Sequence, residues 1–196
     1  MPDSILPRDL NKIQPLPGAS SSALLRLSRA IAPPLGMKLE DYFVEAWKVI
    51  EPGKPLIQGW HLGYMCEHLE AVSLGQITRL IINIFPRSLK SSLCSVVWPT
   101  HEWGPLGRPE LRYLFISHEQ SLSTELSINR RLILESEWYR ENWPRVIIAS
   151  DQNEKKLIHN TRRGKMIATS TRGSATGKGG GRIVLDDFLD PEQAES

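Results

Sequence analysis

A lysine followed by a serine, Lys90-Ser91, stands between the apolar run RLIINI with its turn FPRSL and the helix-like segment SLCSVV. Strand, tight turn, Lys-Ser and helix in that order is what a phosphate-binding loop requires. The turn points backbone N–H groups at phosphate oxygens, and the helix N-terminus adds the positive end of its dipole. The lysine reaches the outer phosphates, and the hydroxyl after it ligates Mg²⁺. The usual expression for such a loop has glycine at its first and sixth positions, where this chain has Ile84 and Leu89. The same residues also suit an ordinary solvated helix start, with Ser91 or Ser92 helping to cap it.

Further along, GGGRIVLDDF reads as a glycine turn, an apolar strand and two acids, Asp186 and Asp187. Ile183, Val184 and Leu185 predict a strand buried beside RLIINI, with the two carboxylates emerging at its C-terminal end. That edge is where ligands bind in open α/β sheets. One carboxylate there can hold Mg²⁺ and its neighbour can polarise an attacking water. An acidic strand end in solvent is the alternative for this segment taken alone.

These groups need a scaffold, and the hydrophobic periodicity outlines one. KLEDYFVEAWKVI and WHLGYMCEHLEAVSLG carry apolar residues three or four apart, as amphipathic helices do. KSSLCSVVWPTHEW starts as a helix that Pro99 is expected to limit. A long helix is predicted over about 120–139. Strands are predicted at RLIINIF, LRYLFISH, RVIIAS, KKLIHNT, KMIATS and RIVLDD. RLIINIF lacks polar alternation, as a strand covered on both faces does. Alternating strands and helices argue for an α/β fold with a mainly parallel sheet flanked by helices. Residues 1–36, with six of the 14 prolines in the first 34, read as a flexible arm and a short helix.

Composition sets the outer limits. Hydrophobic residues are 40% and charged residues 23% of 196, ordinary for a globular chain and unlike a disordered or collagenous one. The net charge of +2 neither demands nor excludes nucleic acid. Two cysteines, Cys66 and Cys94, are too few for a disulfide scaffold and fit a reducing compartment. No apolar run approaches the ~18 residues that a membrane span needs. The five histidines lack the spacing of a paired metal site and read as structural or surface residues. Residues 155–185 hold eight Lys or Arg and no acid. They suit either DNA-backbone contact or an exposed hairpin with a glycine loop. WYRENWP reads as a helix end packing on the sheet.

The order RLIINIFPRSLKS, LRYLFISHEQSLSTELSINRRLILESEWYRENWP and GSATGKGGGRIVLDDFLDPEQA resembles the ATPase part of the large terminase subunit of tailed bacteriophages and prophages. The likeness covers about residues 56–194, and Phe85 stands where the family has the first proline of its loop. It implies a P-loop NTPase domain over 37–196, incomplete at its C-terminal side and without the family's nuclease domain. It implies ATP held by Pro86, Arg87, Ser88, Leu89, Lys90, Ser91 and Ser92, with Mg²⁺ on Ser91 and Asp186. Arg87 would contact the γ-phosphate and Asp187 would activate water. Adenine would sit near 58–61, where Trp60 is alternatively a buried helix-start aromatic. The implied activity is ATP hydrolysis driving viral DNA into procapsids, in the bacterial host cytoplasm. Implied partners are double-stranded DNA, the portal protein, the small terminase subunit and further copies in a ring. With the downstream coupling segment missing, turnover by this chain alone is expected near background. A non-catalytic remnant or nucleotide- or DNA-binding module is the alternative, and another P-loop motor such as a helicase a third.

Overall fold

Buried side chains recur at helical spacing in the first helix, α1 (Leu39–Ile50). Leu39, Tyr42, Phe43 and Ala46 face inward, while Glu40 and Asp41 in the first turn and Lys48 in the last suit the helix dipole. In α2 (Trp60–Ser73) the buried stripe is Leu62, Met65, Cys66, Leu69 and Ser73. Gly75, at φ +77°, ends that helix. Its N–H bonds the Val72 carbonyl at 3.0 Å and the next N–H bonds Ala71 at 2.9 Å. This paired closure is one for which glycine is the natural residue. The computed structural model describes residues 36–149, 156–171 and 179–188. The expected N-terminal arm up to residue 35 and the glycine loop at 172–178 lie outside them.

Helical residues begin at Lys90 and run through a π-helical stretch, Ser92–Val97, into α3 (Trp98–Trp103). Pro99 therefore does not stop the helix. It sits at the second position of α3, and the helical path before it widens into the π-helical stretch and continues past the proline. After β1 (Arg112–Ser117), α4 (Gln120–Glu135) packs against the sheet and the π-helical stretch. The expected single helix over 120–139 breaks at Ser136, whose hydroxyl accepts the Tyr139 N–H at 3.1 Å and starts α5 (Glu137–Asn142). Trp143 packs on Tyr42, Trp138 and Tyr139, and Tyr139 on Trp138; among the described residues these rings meet the helical layer and not a sheet residue's ring.

The sheet holds β2 (Leu157–His159), β3 (Lys165–Ser170) and β4 (Arg182–Asp186) with β1, in the order β2-β3-β1-β4. β1 is parallel to β3 and β4, and β2 is antiparallel to β3. The parallel strands end together, with Ser117 level with Ser170 and Asp186. The chain is thus mixed α/β with a mainly parallel sheet.

Two strand expectations need correction. Residues 79–84 join no strand. They run extended, with Leu80, Ile82 and Ile84 against the core and Ile81 91% exposed. A strand buried on both faces needs a ladder partner on its flank, and none of the described residues supplies one. β4 consequently pairs with β1 and not with this segment. It is also covered on one side only, leaving Ile183 and Leu185 exposed. Of RVIIAS, the described part makes a single bridge, Ile148 to Asn160.

Candidate functional site

The segment 85–89 turns sharply before the helix, and the turn is made without glycine. Arg87 (φ +63°) and Leu89 (φ +64°) both take the left-handed conformation, and Asp187 (φ +46°) does too. Each such non-glycine residue costs of order 1–3 kcal/mol, and such strain clusters at functional sites. Leu89 occupies the place where a usual phosphate loop has its second glycine. The structure shows leucine adopting the glycine-like conformation there, anchored by partial burial in the core. The Leu89 carbonyl then accepts the Leu93 N–H at 2.8 Å, so the helix starts directly behind the turn.

The turn lines a cleft of about 350 Å³. Its walls include Pro86, Arg87, Ser88, Leu89, Lys90, Ser91, Ser92 and, from the end of β4, Asp187, together with Ile84 and Phe85. Lys90 Nζ lies 2.5 Å from Asp187 Oδ1 and 3.5 Å from Asp186 Oδ1. Partial burial opposes the Lys90 charge. The hydrogen bond to Asp187 and the fields of both carboxylates outweigh it and raise the lysine above its ordinary value.

Asp186 is buried and Asp187 is exposed. Ser91 Oγ donates to Asp186 Oδ1 at 3.0 Å and Ser95 Oγ to Oδ2 at 2.9 Å. The Asp187 carbonyl is tied to the sheet edge by the His118 N–H at 3.0 Å. One acid is thus fixed on both oxygens while its neighbour reaches into the cleft. The donor set also suits magnesium, which takes hard oxygen ligands in an octahedron. Neighbouring ligands in that octahedron stand about 3 Å apart, since each bond is ~2.1 Å. Ser91 Oγ and Asp186 Oδ1 are already at that spacing.

Trp60 is not a buried helix-start aromatic: it is 84% exposed. Its ring meets His61 edge-on with centroids 6.2 Å apart, and His61 meets Phe85 at 5.4 Å. An aromatic run therefore leads from α2 to the rim of the cleft. The basic residues Arg162, Arg163 and Lys165 lie in the β2–β3 turn and at the start of β3. That is the sheet edge away from Asp186. Lys155, Arg172 and Lys178 lie outside the described residues.

Three charged residues, Glu102, Arg182 and Arg130, carry no signal of their role in the sequence. Glu102 is fully buried in α3. It accepts from Arg182 Nη2 at 2.9 Å and Nε at 3.2 Å, and from the Tyr113 hydroxyl. Burial, then Glu102, pushes the Tyr113 hydroxyl well up, while the bond to Glu102 raises Arg182. The helix that begins at Lys90 is thereby bound to β4 at both ends, through Ser91 and Ser95 at one and Glu102 at the other. The third residue, Arg130, is fully buried on α4. Its guanidinium lies 3.8 Å over the Phe115 ring and donates Nη1–H to the Ser95 carbonyl. Burial pulls this guanidinium down to about 9, and the field of Asp186 acts against the shift.

Among the described residues no group of three or more His, Cys, Asp or Glu could hold a metal ion, and no helix is long and apolar enough to cross a membrane. Comparisons with protein-family models, with curated proteins and with solved structures give no match.

Proposed function

We propose that this chain binds Mg-ATP in the cleft behind Phe85–Ser92 and serves as the ATPase core of a DNA-packaging motor of the terminase type, a P-loop NTPase fold. The observation that carries the nucleotide reading is the meeting of Lys90 and Ser91, from the strained turn, with Asp186 and Asp187, from the end of a parallel strand. The motor assignment rests on the sequence resemblance. In this reading Lys90 leaves Asp187 for the β- and γ-phosphates. Backbone N–H groups of 86–92 cradle the same oxygens, which the helix dipole also favours. Ser91 and Asp186 hold Mg²⁺, which neutralises charge on the phosphates when bound. Arg87 lies on the cleft wall within the loop and answers the γ-phosphate. Asp187, released from Lys90, orients the attacking water. The exposed Trp60–His61–Phe85 run supports a base seat beside the phosphates. Double-stranded DNA, the portal and small subunit, and a ring of further copies belong to the same proposal.

A second reading is a nucleotide-binding module with little turnover. It is favoured by residues 79–84, which lead into the loop without a hydrogen-bonded partner strand among the described residues. Phosphoryl transfer depends on positioning, and a stem free of the sheet holds the loop less firmly. Calorimetry with Mg-ATP tests the shared claim. Lys90→Ala should weaken binding at least tenfold, the loss of about one charge-assisted contact. Equal affinities would reject Lys90 as the phosphate ligand.

A further inference from the structure

A proline at residue 99 creates a specific problem four residues earlier. The Ser95 carbonyl has no i+4 N–H to accept, and the proline ring pushes against that carbonyl. The helix responds with the π-helical stretch Ser92–Val97 and continues. Such stretches are uncommon and often mark functional positions. The donor aimed at the Ser95 carbonyl comes from another element, Arg130 on α4.

That donor is unusual. Arg130 is 0% exposed, and its Nε and Nη2 have no hydrogen-bond partner among the described residues. The face of Phe115 covers the cation from one side. A buried guanidinium with two unmet donors is costly, so packing alone is a poor reason for arginine here. The residue it holds is the one whose hydroxyl fixes Asp186 Oδ2 at 2.9 Å. With Oδ2 fixed, Oδ1 is turned toward Ser91 and Lys90.

We propose that Arg130 is a positioning residue for Asp186. It replaces the backbone donor lost at Pro99, sets the Ser95 turn, and through the Ser95 hydroxyl aims the carboxylate that holds the magnesium ion. The inference rests on the Mg-nucleotide reading of the cleft. It adds that the order of the metal ligand is imposed from α4, outside the phosphate loop and outside β4.

The test uses the full chain in four forms besides wild type: Arg130→Met, which keeps the stem and removes the guanidinium; Pro99→Ala, which returns an N–H to residue 99; the two together; and Ser95→Ala. Two quantities are read. The first is amide hydrogen exchange over 91–97 and 183–187, with 39–50 as the internal reference. The second is half-saturation by Mn²⁺ of the ATP-bound chain, beside ATP affinity in EDTA.

Arg130→Met should speed exchange in 91–97 and 183–187 with 39–50 unchanged. It should raise the Mn²⁺ half-saturation about tenfold or more, as loss of an outer-shell partner does. ATP affinity in EDTA should stay within about twofold of wild type, because the guanidinium touches no phosphate. Pro99→Ala should restore both quantities in the Arg130→Met background. A structural arginine would give neither this split nor this rescue. Uniform acceleration of exchange in all segments, unchanged metal half-saturation, or failure of Pro99→Ala to rescue would each overturn the proposal. If Arg130→Met does not fold, Ser95→Ala decides: it must reproduce the metal effect, and an unchanged half-saturation refutes the relay. A wild-type chain that binds no Mn-ATP would refute the nucleotide reading instead. The exchange pattern would then still support or overturn the link from Arg130 to Asp186.

Discussion

Replacing Arg182 by Met leaves the Glu102 carboxylate fully buried with the Tyr113 hydroxyl as its remaining partner. Breaking a buried ion pair from one side costs about 3–5 kcal/mol, because the other charge stays desolvated. The Arg182 side chain is 22% exposed, so part of its charge is already screened, and the lower end of that range applies. The methionine keeps the aliphatic stem, which limits lost packing. The expected loss is therefore about 3 kcal/mol, or roughly 6–12 °C in Tm for a chain of this length. The same change in a Glu102→Gln background should cost about 1 kcal/mol, since the remaining amide is neutral and only ordinary hydrogen bonds are lost. The assay is urea unfolding followed by tryptophan fluorescence, with all four forms compared as a cycle. Trp98, whose ring centroid lies 5.8 Å from the Arg182 guanidinium carbon, provides a local reporter. A cost below about 1 kcal/mol for Arg182→Met, or additive single changes, would refute the claim that a buried charge pair ties α3 to β4.

Burial holds His101 below its ordinary value, against the raising effect of its bond to the Met37 carbonyl and of Glu70 and Glu102. The unfolded chain therefore binds the proton first, and stability should fall as pH drops below about 6.5, with His101→Gln flattening that limb of the urea-midpoint profile. Cys66 and Cys94, both pushed up to about 12 chiefly by burial, should react with a thiol reagent at pH 8 only at the rate of unfolding. Gly164→Ala puts a Cβ 1.9 Å from the Pro109 carbonyl oxygen, so backbone must move. A loss of about 2–3 kcal/mol in the urea midpoint is expected, and an unchanged midpoint would show that the β2–β3 turn yields freely.

The helices Leu39–Ile50 and Trp60–Ser73 and the strands β1, β3 and β4 were legible because each carries its own periodicity or apolar run. Lys90 does meet Asp186 and Asp187, but not for the reason the sequence offered: 79–84 is no sheet strand, and the helix that begins at Lys90 is held to β4 by side chains instead, through Ser91, Ser95 and Glu102. Residues 79–84 have the composition of a strand, but a strand also needs a hydrogen-bonding neighbour, and composition does not supply one. Pro99 is a stop signal only for a helix with no substitute donor. Its substitute, Arg130, comes from another element and has no local signature in SINRRLILE. Glu102 and Arg182 likewise meet across 80 positions, so neither charge announces its burial.

The double attachment of the Lys90–Trp103 helix to β4 has a mechanical consequence. A rod fastened at both ends to a rail cannot pivot. It can only slide along the rail or carry the rail with it. Displacement of Lys90 by an incoming anion therefore has two outlets: local rewinding of 85–89, or transmission along the helix to Glu102 and Arg182, at most about 18 Å away at 1.5 Å per residue. The packing of Leu89 against the core resists the first outlet, because rewinding the turn would pull that side chain out. Force applied at Lys90 that the turn does not absorb is delivered at the start of β4, on the opposite edge of the sheet. Arg182, remote from the cleft, is where a probe of such movement belongs.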